Sequence, residues 1–150
     1  MSLQEKLRVD LHQALKSGDK TRRSTIRMVL AEIKNTEIAQ GAGVILDDNG
    51  VLGVLAKEAR RHKESIEAFQ KGGRQDLVVI EEAELAVIQE YLPKSMSPEE
   101  LEAHVRKVIQ ETGASGPRDK SKVMPRLIAE LKGRADGRAI NEVVTTLLGG

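Results

Sequence analysis

Apolar residues recur every three to four positions along most of the chain, and glycine, proline or short polar stretches divide this pattern into seven segments. Such spacing places the apolar side chains on one side of an α-helix, so each segment predicts an amphipathic helix. The first helix is expected between Ser2, which has capping-box spacing with Glu5, and Gly18. The next three are expected to begin at Asp19, at one of residues 47–49 and at Asp76.

A domain boundary is expected after the fourth helix. Pro93 bars any extension of that helix, and residues 93–96 are interpreted as a linker. A strong helix start follows, because Ser97 provides an N-cap and Pro98 fits the first helical position. The last three segments each carry one apolar stripe, and three such stripes can bury one another. The sequence therefore predicts an all-α protein, with a helical N-terminal domain of about four helices at residues 1–94 and a small three-helix domain at residues 95–150.

Two short features depart from the helical pattern. Residues 43–46 resemble a strand, but a single apolar run cannot form a sheet, so they are interpreted as a hydrophobic staple leading into the third helix. Pro125 falls within the sixth segment, where it lacks a backbone donor and crowds the carbonyl of Ser121. We therefore expect the sixth helix to break or kink before Pro125, with Pro125 opening a second piece.

The composition supports a helical core made of aliphatic side chains. Hydrophobic residues make up 39% and charged residues 31% of the 150 residues, yet the chain has one Phe, one Tyr and no Trp. Strands favour aromatic and β-branched residues, so this composition argues against a sheet sandwich or a barrel. The absence of cysteine excludes disulfides, zinc fingers and iron–sulfur clusters. With neither a membrane-spanning run nor a signal peptide visible, we expect a cytoplasmic protein without membrane attachment.

No motif of known catalytic or metal chemistry stands out in the sequence. The three histidines, His12, His62 and His104, form no zinc signature, and His62 lies on the apolar stripe of the third helix, which favours a structural role. The acidic residues at 81, 82 and 84 are interpreted as a solvated helix face rather than a paired acid–base site. We therefore predict no catalytic residue, no metal site and no cofactor. An enzyme with an unrecognised site stays open as an alternative.

Basic residues concentrate in two places, although the formal net charge is only +1. On the second helix, Arg23, Arg27 and Lys34 lie along one flank, which is interpreted as a solvated face or as a secondary basic patch. Residues 117–138 contain seven bases and three acids, which gives this segment a net charge of +4. The candidate nucleic-acid-binding residues of this segment are Lys122, Arg126, Lys132, Arg134 and Arg138.

The start of the seventh helix offers a further means of holding phosphate. Asp136 is expected to cap this helix rather than to act as a catalytic acid, and the first backbone N–H groups of a helix can bind an anion. Gly133 and Gly137 are expected to provide backbone freedom. Because aromatic residues are nearly absent, these features favour a structured RNA held by its phosphates over a single strand held by base stacking.

Several motifs spread over the chain point to one family. They are TRRSTIRMV at residues 21–29, LAKE at 55–58, GRQDL at 73–77, KVM at 122–124 and KGRADG at 132–137. On these residues the chain resembles the GatB/YqeY family, and specifically its free-standing YqeY-like members, nearly from end to end. It departs from the family pattern at Pro125, where the family has glycine, and at residues 128–130, where an acid replaces a base.

The resemblance implies a C-terminal domain similar to the tail of the B subunit of glutamine-dependent aspartyl/glutamyl-tRNA amidotransferase. In that enzyme the tail helps to hold tRNA, and the chemistry lies elsewhere. The implied function is a non-catalytic tRNA-binding or accessory module, although the family label is carbon–nitrogen ligase with glutamine as amido-N-donor. The implied partners are tRNA and components of the amidotransferase or of an aminoacyl-tRNA synthetase. A protein–protein interaction module without RNA binding is the alternative, and the sequence does not determine the oligomeric state.

Overall fold

A computed structural model describes residues 1–149 of the chain. Within that range the protein consists of seven α-helices and one short 3-10 helix, without a strand, which confirms the predicted all-α class. The α-helices are α1 (Leu3–Ser17), α2 (Lys20–Gln40), α3 (Asp48–Lys71), α4 (Gln75–Gln89), α5 (Pro98–Thr112), α6 (Lys120–Glu130) and α7 (Gly137–Leu147). The 3-10 helix, Pro117–Asp119, directly precedes α6.

The helices form two compact units, the first covering Met1–Leu92 and the second starting at Pro93. In the first unit α1–α4 enclose an aliphatic core that includes Ile33 and Leu55, with Tyr91 as its aromatic member. In the second unit α5, α6 and α7 all contact one another around a separate aliphatic core that includes Val105 and Leu127. None of the described helices is both long and apolar enough to cross a membrane.

In the first unit the closest partners are α3 and α4. Residues 72–74 join the two helices, which pack along each other as an αα-hairpin. α1 packs along α2, and α2 also contacts both α3 and α4. This arrangement follows from the sequence pattern, because each helix has one apolar side and must bury it against its neighbours.

Side-chain hydrogen bonds confirm most of the predicted helix starts. Ser2 and Glu5 form the expected capping box at the start of α1. The side chains of Asp19, Asp47 and Ser97 each accept a hydrogen bond from the backbone N–H of the third residue of the helix that follows. These caps satisfy backbone donors that lack a partner within the helix, and they fix where each helix begins.

The start predicted at Asp76 is wrong. α4 begins at Gln75, and its N-cap residue, Arg74, makes no capping hydrogen bond through its side chain. The Arg74 guanidinium instead donates to the two carboxylate oxygens of Asp76, at 3.1 and 3.0 Å. This pairing holds the pKa of Asp76 below its ordinary value. Asp76 therefore stabilises the first turn of α4 as a charged group near the helix N-terminus rather than as its cap.

Residues 43–46 form no strand and instead lead into α3 as a hydrophobic staple. Leu46 directly precedes the N-cap and packs against the same core as Val51, in the first turn of α3. A Cβ atom on Gly50 would lie 3.0 Å from Leu46 Cδ2, so the glycine makes room for this contact. The Leu46 N–H donates to the buried Glu37 carboxylate at 2.9 Å, which holds the pKa of Glu37 below its ordinary value.

Pro125 lies inside α6, so the expectation that it opens a second helical piece is wrong. α6 is one element from Lys120 to Glu130, and the change of helix type occurs earlier, where the 3-10 helix ends at Asp119. The carbonyl that loses its helical partner to the proline ring belongs to Ser121, in the first turn of α6. Ser121 is exposed, so water can satisfy that carbonyl and the helix continues.

The segment before α5 is fastened to the turn between α6 and α7. The Met96 N–H donates to the Arg134 carbonyl at 3.1 Å, and the Arg134 guanidinium donates to the Lys94 carbonyl at 3.4 Å. Met96 also packs against the core of the second unit. The predicted domain boundary at residues 94 and 95 falls within this segment, and the independent folding of residues 95–150 stays a prediction.

We expect a fragment of residues 93–150 to fold without the rest of the chain, because it contains a complete core and the Met96–Arg134 contact. Far-UV circular dichroism should show a helical fragment with a cooperative thermal transition. A fragment of residues 97–150 lacks that contact and should melt at a lower temperature. A 93–150 fragment that stays disordered would contradict the prediction.

Two glycines of the α6–α7 region should respond in opposite ways to alanine. Gly133 has a φ of 81°, so Gly133→Ala should lower the free energy of unfolding by about 1–2 kcal/mol. Gly137 begins α7 with no left-handed φ, and a Cβ there meets nothing within 4 Å. Gly137→Ala should therefore stabilise the protein by about 0.4–1 kcal/mol. Urea unfolding of both variants measures the two values, and an equal effect of the same sign would refute this assignment.

Candidate functional site

The five predicted RNA-binding residues lie on α6, on the turn after it and at the start of α7. Lys122 and Arg126 belong to α6, and Lys132 and Arg134 belong to the turn. Arg138 is the second residue of α7. Because a helix rises about 1.5 Å per residue, Lys122 lies roughly 12 Å along the axis from the last residue of α6. The backbone of these five residues thus forms an elongated strip along α6 and the turn after it. The residues do not cluster around the N-terminus of a single helix.

Arg126, in the middle of this strip, is already paired with acidic side chains. Arg126 donates to Glu130 at 2.8 Å and also pairs with Glu111 of α5. His104 of α5 lies 2.8 Å from Glu130, so these four side chains connect α5 to α6. Hydrogen bonds from Arg126 to the two glutamates raise the pKa of Arg126, and Arg126 followed by His104 lowers the pKa of Glu130. The main role of Arg126 is therefore to connect α5 and α6, and its charge is less accessible to a ligand.

Two aspartates reduce the positive charge at the ends of the strip. Asp119 lies 3.2 Å from the Lys122 ammonium. Asp136 caps α7 as predicted, since its Oδ1 accepts the Ala139 N–H at 2.8 Å. A phosphate at this helix start would meet the Asp136 carboxylate, and one of the backbone donors is already occupied. The side chains around the turn, rather than the helix N-terminus, are therefore the groups suited to phosphate.

The turn between α6 and α7 carries the most accessible cations of the five. Lys132 and Arg138 are exposed and form no ion pair with any described residue. Arg134 is exposed as well, and its guanidinium lies 3.9 Å from the Glu100 carboxylate, at the outer limit of an ion pair. We call Lys132, Arg134 and Arg138 the turn cations. They lie within seven consecutive residues, and Asp136 is the one acid among those residues.

The secondary patch lies along one flank of α2. Arg23, Arg27 and Lys34 are separated by four and seven positions, a spacing that returns to the same side of a helix. Arg27 and Lys34 are exposed and Arg23 is half-buried, and within the described chain none of the three has an ion-pair partner. The patch extends for roughly 16 Å along the helix axis. It belongs to the first unit and the turn cations to the second.

α3 and α4 form a histidine–carboxylate cluster that was not predicted from the sequence. His62 Nε2 lies 2.9 Å from a Glu84 oxygen and 3.6 Å from a Glu81 oxygen. The interpretation of residues 81–84 as a solvated face is wrong for these two glutamates, which are half-buried against His62. Their spacing of three positions, which places them on one side of α4, was the available signal. Their partner on α3 follows only from the register of the hairpin.

The environment of His62 acts on its pKa in both directions. Burial lowers the pKa, since it disfavours the charged imidazolium. The hydrogen bonds to the Glu58 carbonyl and to Glu84, together with the charges of Glu81 and Glu84, raise it, and the net result is a pKa above the ordinary value for histidine. The cluster therefore favours a positive charge at His62 Nε2.

Comparisons with known proteins place both units in one family. A family model described as "Yqey-like protein" matches residues 4–148. "Altered inheritance of mitochondria protein 41, mitochondrial" from Lachancea thermotolerans is 39% identical over 74% of this chain and 60% of its own length. The protein of the same name from Pyrenophora tritici-repentis is 30% identical over 96% of this chain and 80% of its own length. The chain thus spans about 60% of the first relative and more of the second.

The names of these relatives contradict the expectation of a cytoplasmic location, because both are described as mitochondrial. That expectation followed from the absence of a visible signal peptide and of a membrane-spanning run. Neither absence distinguishes the cytoplasm from another compartment. The match of the family model extends across nearly the whole chain and includes both compact units. The chain belongs to the YqeY-like protein family.

Proposed function

We propose that the second unit binds the phosphate backbone of a structured RNA, with tRNA as the expected ligand, and that the protein is an accessory module rather than an enzyme. The observation that carries this proposal is the set of turn cations, which are exposed and have at most one distant acidic partner among the described residues. Arginine and lysine in such a position neutralise phosphates and release counterions, which supplies much of the affinity for nucleic acid.

The chemistry of the second unit favours contacts to phosphates over contacts to bases. From Pro93 onward the chain contains no Phe, Tyr or Trp, so it has no aromatic surface on which a base could stack. Two of the turn cations are arginines, whose planar guanidinium can donate two hydrogen bonds to one phosphate. A duplex or a folded RNA presents phosphates at fixed positions, which such cations can recognise by shape.

The backbone that carries these cations is held in place before any ligand arrives. Met96 is hydrogen-bonded to the Arg134 carbonyl, and Leu131, the first residue after α6, is buried in the core. The ion pairs of Arg126 tie α6 to α5 on the other side. Binding to a turn that is already ordered costs less conformational entropy than binding to a disordered tail.

The choice of tRNA rests on the resemblance of this unit to the tail of the amidotransferase B subunit. The KVM and KGRADG motifs lie on α6 and on the turn of the cations, the same part of the chain that the phosphate argument selects. We extend the proposal to partners on this ground: tRNA itself, and components of a tRNA amidotransferase or of an aminoacyl-tRNA synthetase. The carbon–nitrogen ligase label of the wider family would then describe the complex and not this chain.

A second candidate function is a protein–protein interaction module without RNA binding. Val79 and Ile80 on α4 are 57% and 53% exposed, which is high for adjacent large apolar residues. Exposed aliphatic side chains on a helix are suited to a partner helix, and they have no role in binding phosphate. RNA binding would depend on the second unit and protein binding on α4 of the first unit. Variants of the turn cations therefore distinguish the two candidate functions.

The double substitution R134E/R138E tests the RNA proposal. It should change the free energy of unfolding by less than about 1 kcal/mol, because exposed charges contribute little to stability. It should weaken the binding of bulk tRNA strongly, as measured by filter binding with the full chain. The slope of log Kobs against log salt should fall in magnitude by about two, one for each lost phosphate contact.

The matched control is R106E/K107E, which makes the same change in net charge at two exposed positions of α5. This control should keep most of the affinity and the full salt slope. A folded R134E/R138E protein with the affinity of the wild type would refute the assignment to the turn cations. If the wild type itself does not bind tRNA, the protein–protein interaction module becomes the better description.

A further inference from the structure

We propose that His62, Glu81 and Glu84 form a binding site for a divalent transition-metal ion between α3 and α4. The ligand atoms, one from each residue, all lie within 4.8 Å of one another. This site is in the first unit and does not depend on the RNA-binding proposal, which concerns the second. Three features carry the inference: the proton on the imidazole, the positions of the two carboxylates and the pattern of burial.

The first feature is the proton on the Nδ1 atom of His62. Nδ1 lies 2.8 Å from the backbone carbonyl of Glu58, one turn earlier on α3. A carbonyl oxygen can only accept a hydrogen bond, so Nδ1 must carry a hydrogen and donate it. A backbone carbonyl that holds Nδ1–H in this way is the usual support of a metal-binding histidine, because it leaves Nε2 as the coordinating atom and fixes the plane of the ring.

The second feature is what faces Nε2. Two carboxylate oxygens, from Glu84 at 2.9 Å and from Glu81 at 3.6 Å, are directed toward a nitrogen whose ring already carries its one neutral-state proton on Nδ1. The lone pair of a neutral Nε2 would repel both oxygens. A proton, carried by the ring or by one of the carboxyl groups, or a metal ion must therefore lie among the three atoms.

The separation from Glu81 suits a metal ion, whereas the separation from Glu84 is that of a hydrogen bond. With bonds of about 2.0–2.2 Å from zinc to nitrogen or oxygen, two ligands of one tetrahedral ion lie about 3.3–3.6 Å apart, so the Glu84 oxygen would move away from Nε2 by about half an ångström when an ion binds. One imidazole and two carboxylates favour ions such as Zn²⁺, Mn²⁺ or Fe²⁺ over Mg²⁺, which prefers oxygen ligands alone. Small rotations of the glutamate side chains would bring both oxygens into the coordination shell.

The third feature is the pattern of burial. His62 is 6% exposed, whereas the side chains of Glu81 and Glu84 are 24% and 25% exposed. The imidazole is thus held by the hairpin, while the carboxylate side opens to solvent, from which an ion can arrive and water can complete its coordination. All three residues sit within helices that pack along each other, so the ligand positions are largely formed in advance.

Titration of the untagged full chain with ZnCl₂ by isothermal calorimetry tests the site. We expect one Zn²⁺ per chain, and we expect Glu81→Gln and Glu84→Gln each to weaken binding by about tenfold or more. Glu82→Gln is the matched control: it removes the same charge from the same turn of α4, but Glu82 is exposed and lies outside the cluster. Its affinity should equal that of the wild type, and MgCl₂ should not compete at equal concentration.

Melting temperature and Co²⁺ absorption distinguish loss of metal binding from poor folding of a variant. Zn²⁺ should raise the melting temperature of the wild type and of Glu82→Gln but not that of Glu84→Gln, because only a folded site binds the ion. Co²⁺ should give visible absorption bands with the wild type that Glu84→Gln abolishes. Absence of Zn²⁺ binding by the wild type would overturn the proposal and leave the cluster as a protonated imidazole paired with two carboxylates. Binding that survives both glutamate substitutions would also overturn it, because the ion would then be held elsewhere.

Discussion

Close packing of α3 against α4 determines where His62 meets Glu81 and Glu84. His62 lies ten residues before the turn at residues 72–74 and Glu84 lies ten residues after it, so each is about 15 Å from the turn along its own helix. Buried aliphatic residues on both helices, among them Leu55 and Val87, hold this register. A shift of one residue in either helix would rotate its side chains by about 100° and separate the imidazole from the carboxylate.

The second unit uses its charges in two distinct ways. On α5 and α6, Arg126 and His104 are joined to glutamates, and these pairs connect the helices on the outside of an aliphatic core. On the following turn, Lys132 and Arg138 have no such partner among the described residues. The net charge of +4 in residues 117–138 therefore overstates what a ligand meets on α6 and describes the turn better. Distance from the acids of α5 and α6 and from Asp119 therefore decides which cations a ligand can reach.

Local signals in the sequence were sufficient for the helices and for most of their ends. Ser97 and Asp136 act within one helical turn, so their roles as caps could be predicted from neighbouring residues alone. Pro125 could not be placed in the same way, because a helix tolerates a proline when water reaches the carbonyl that it leaves unpaired. The partners of His62 and Arg126 come from another helix, and the single sequence contains no signal for the register that brings them together.

Tyr91 gives the two units different optical properties. Its ring is buried in the first unit, its hydroxyl donates to the Asp10 carboxylate of α1, and burial together with that hydrogen bond raises the pKa of the phenol. Phe69, the other aromatic residue, also belongs to the first unit. Tyrosine fluorescence of the protein therefore originates from one side chain, just after the end of α4. Its emission reports the contact between that end and α1, while loss of structure in the second unit leaves the chromophore itself untouched.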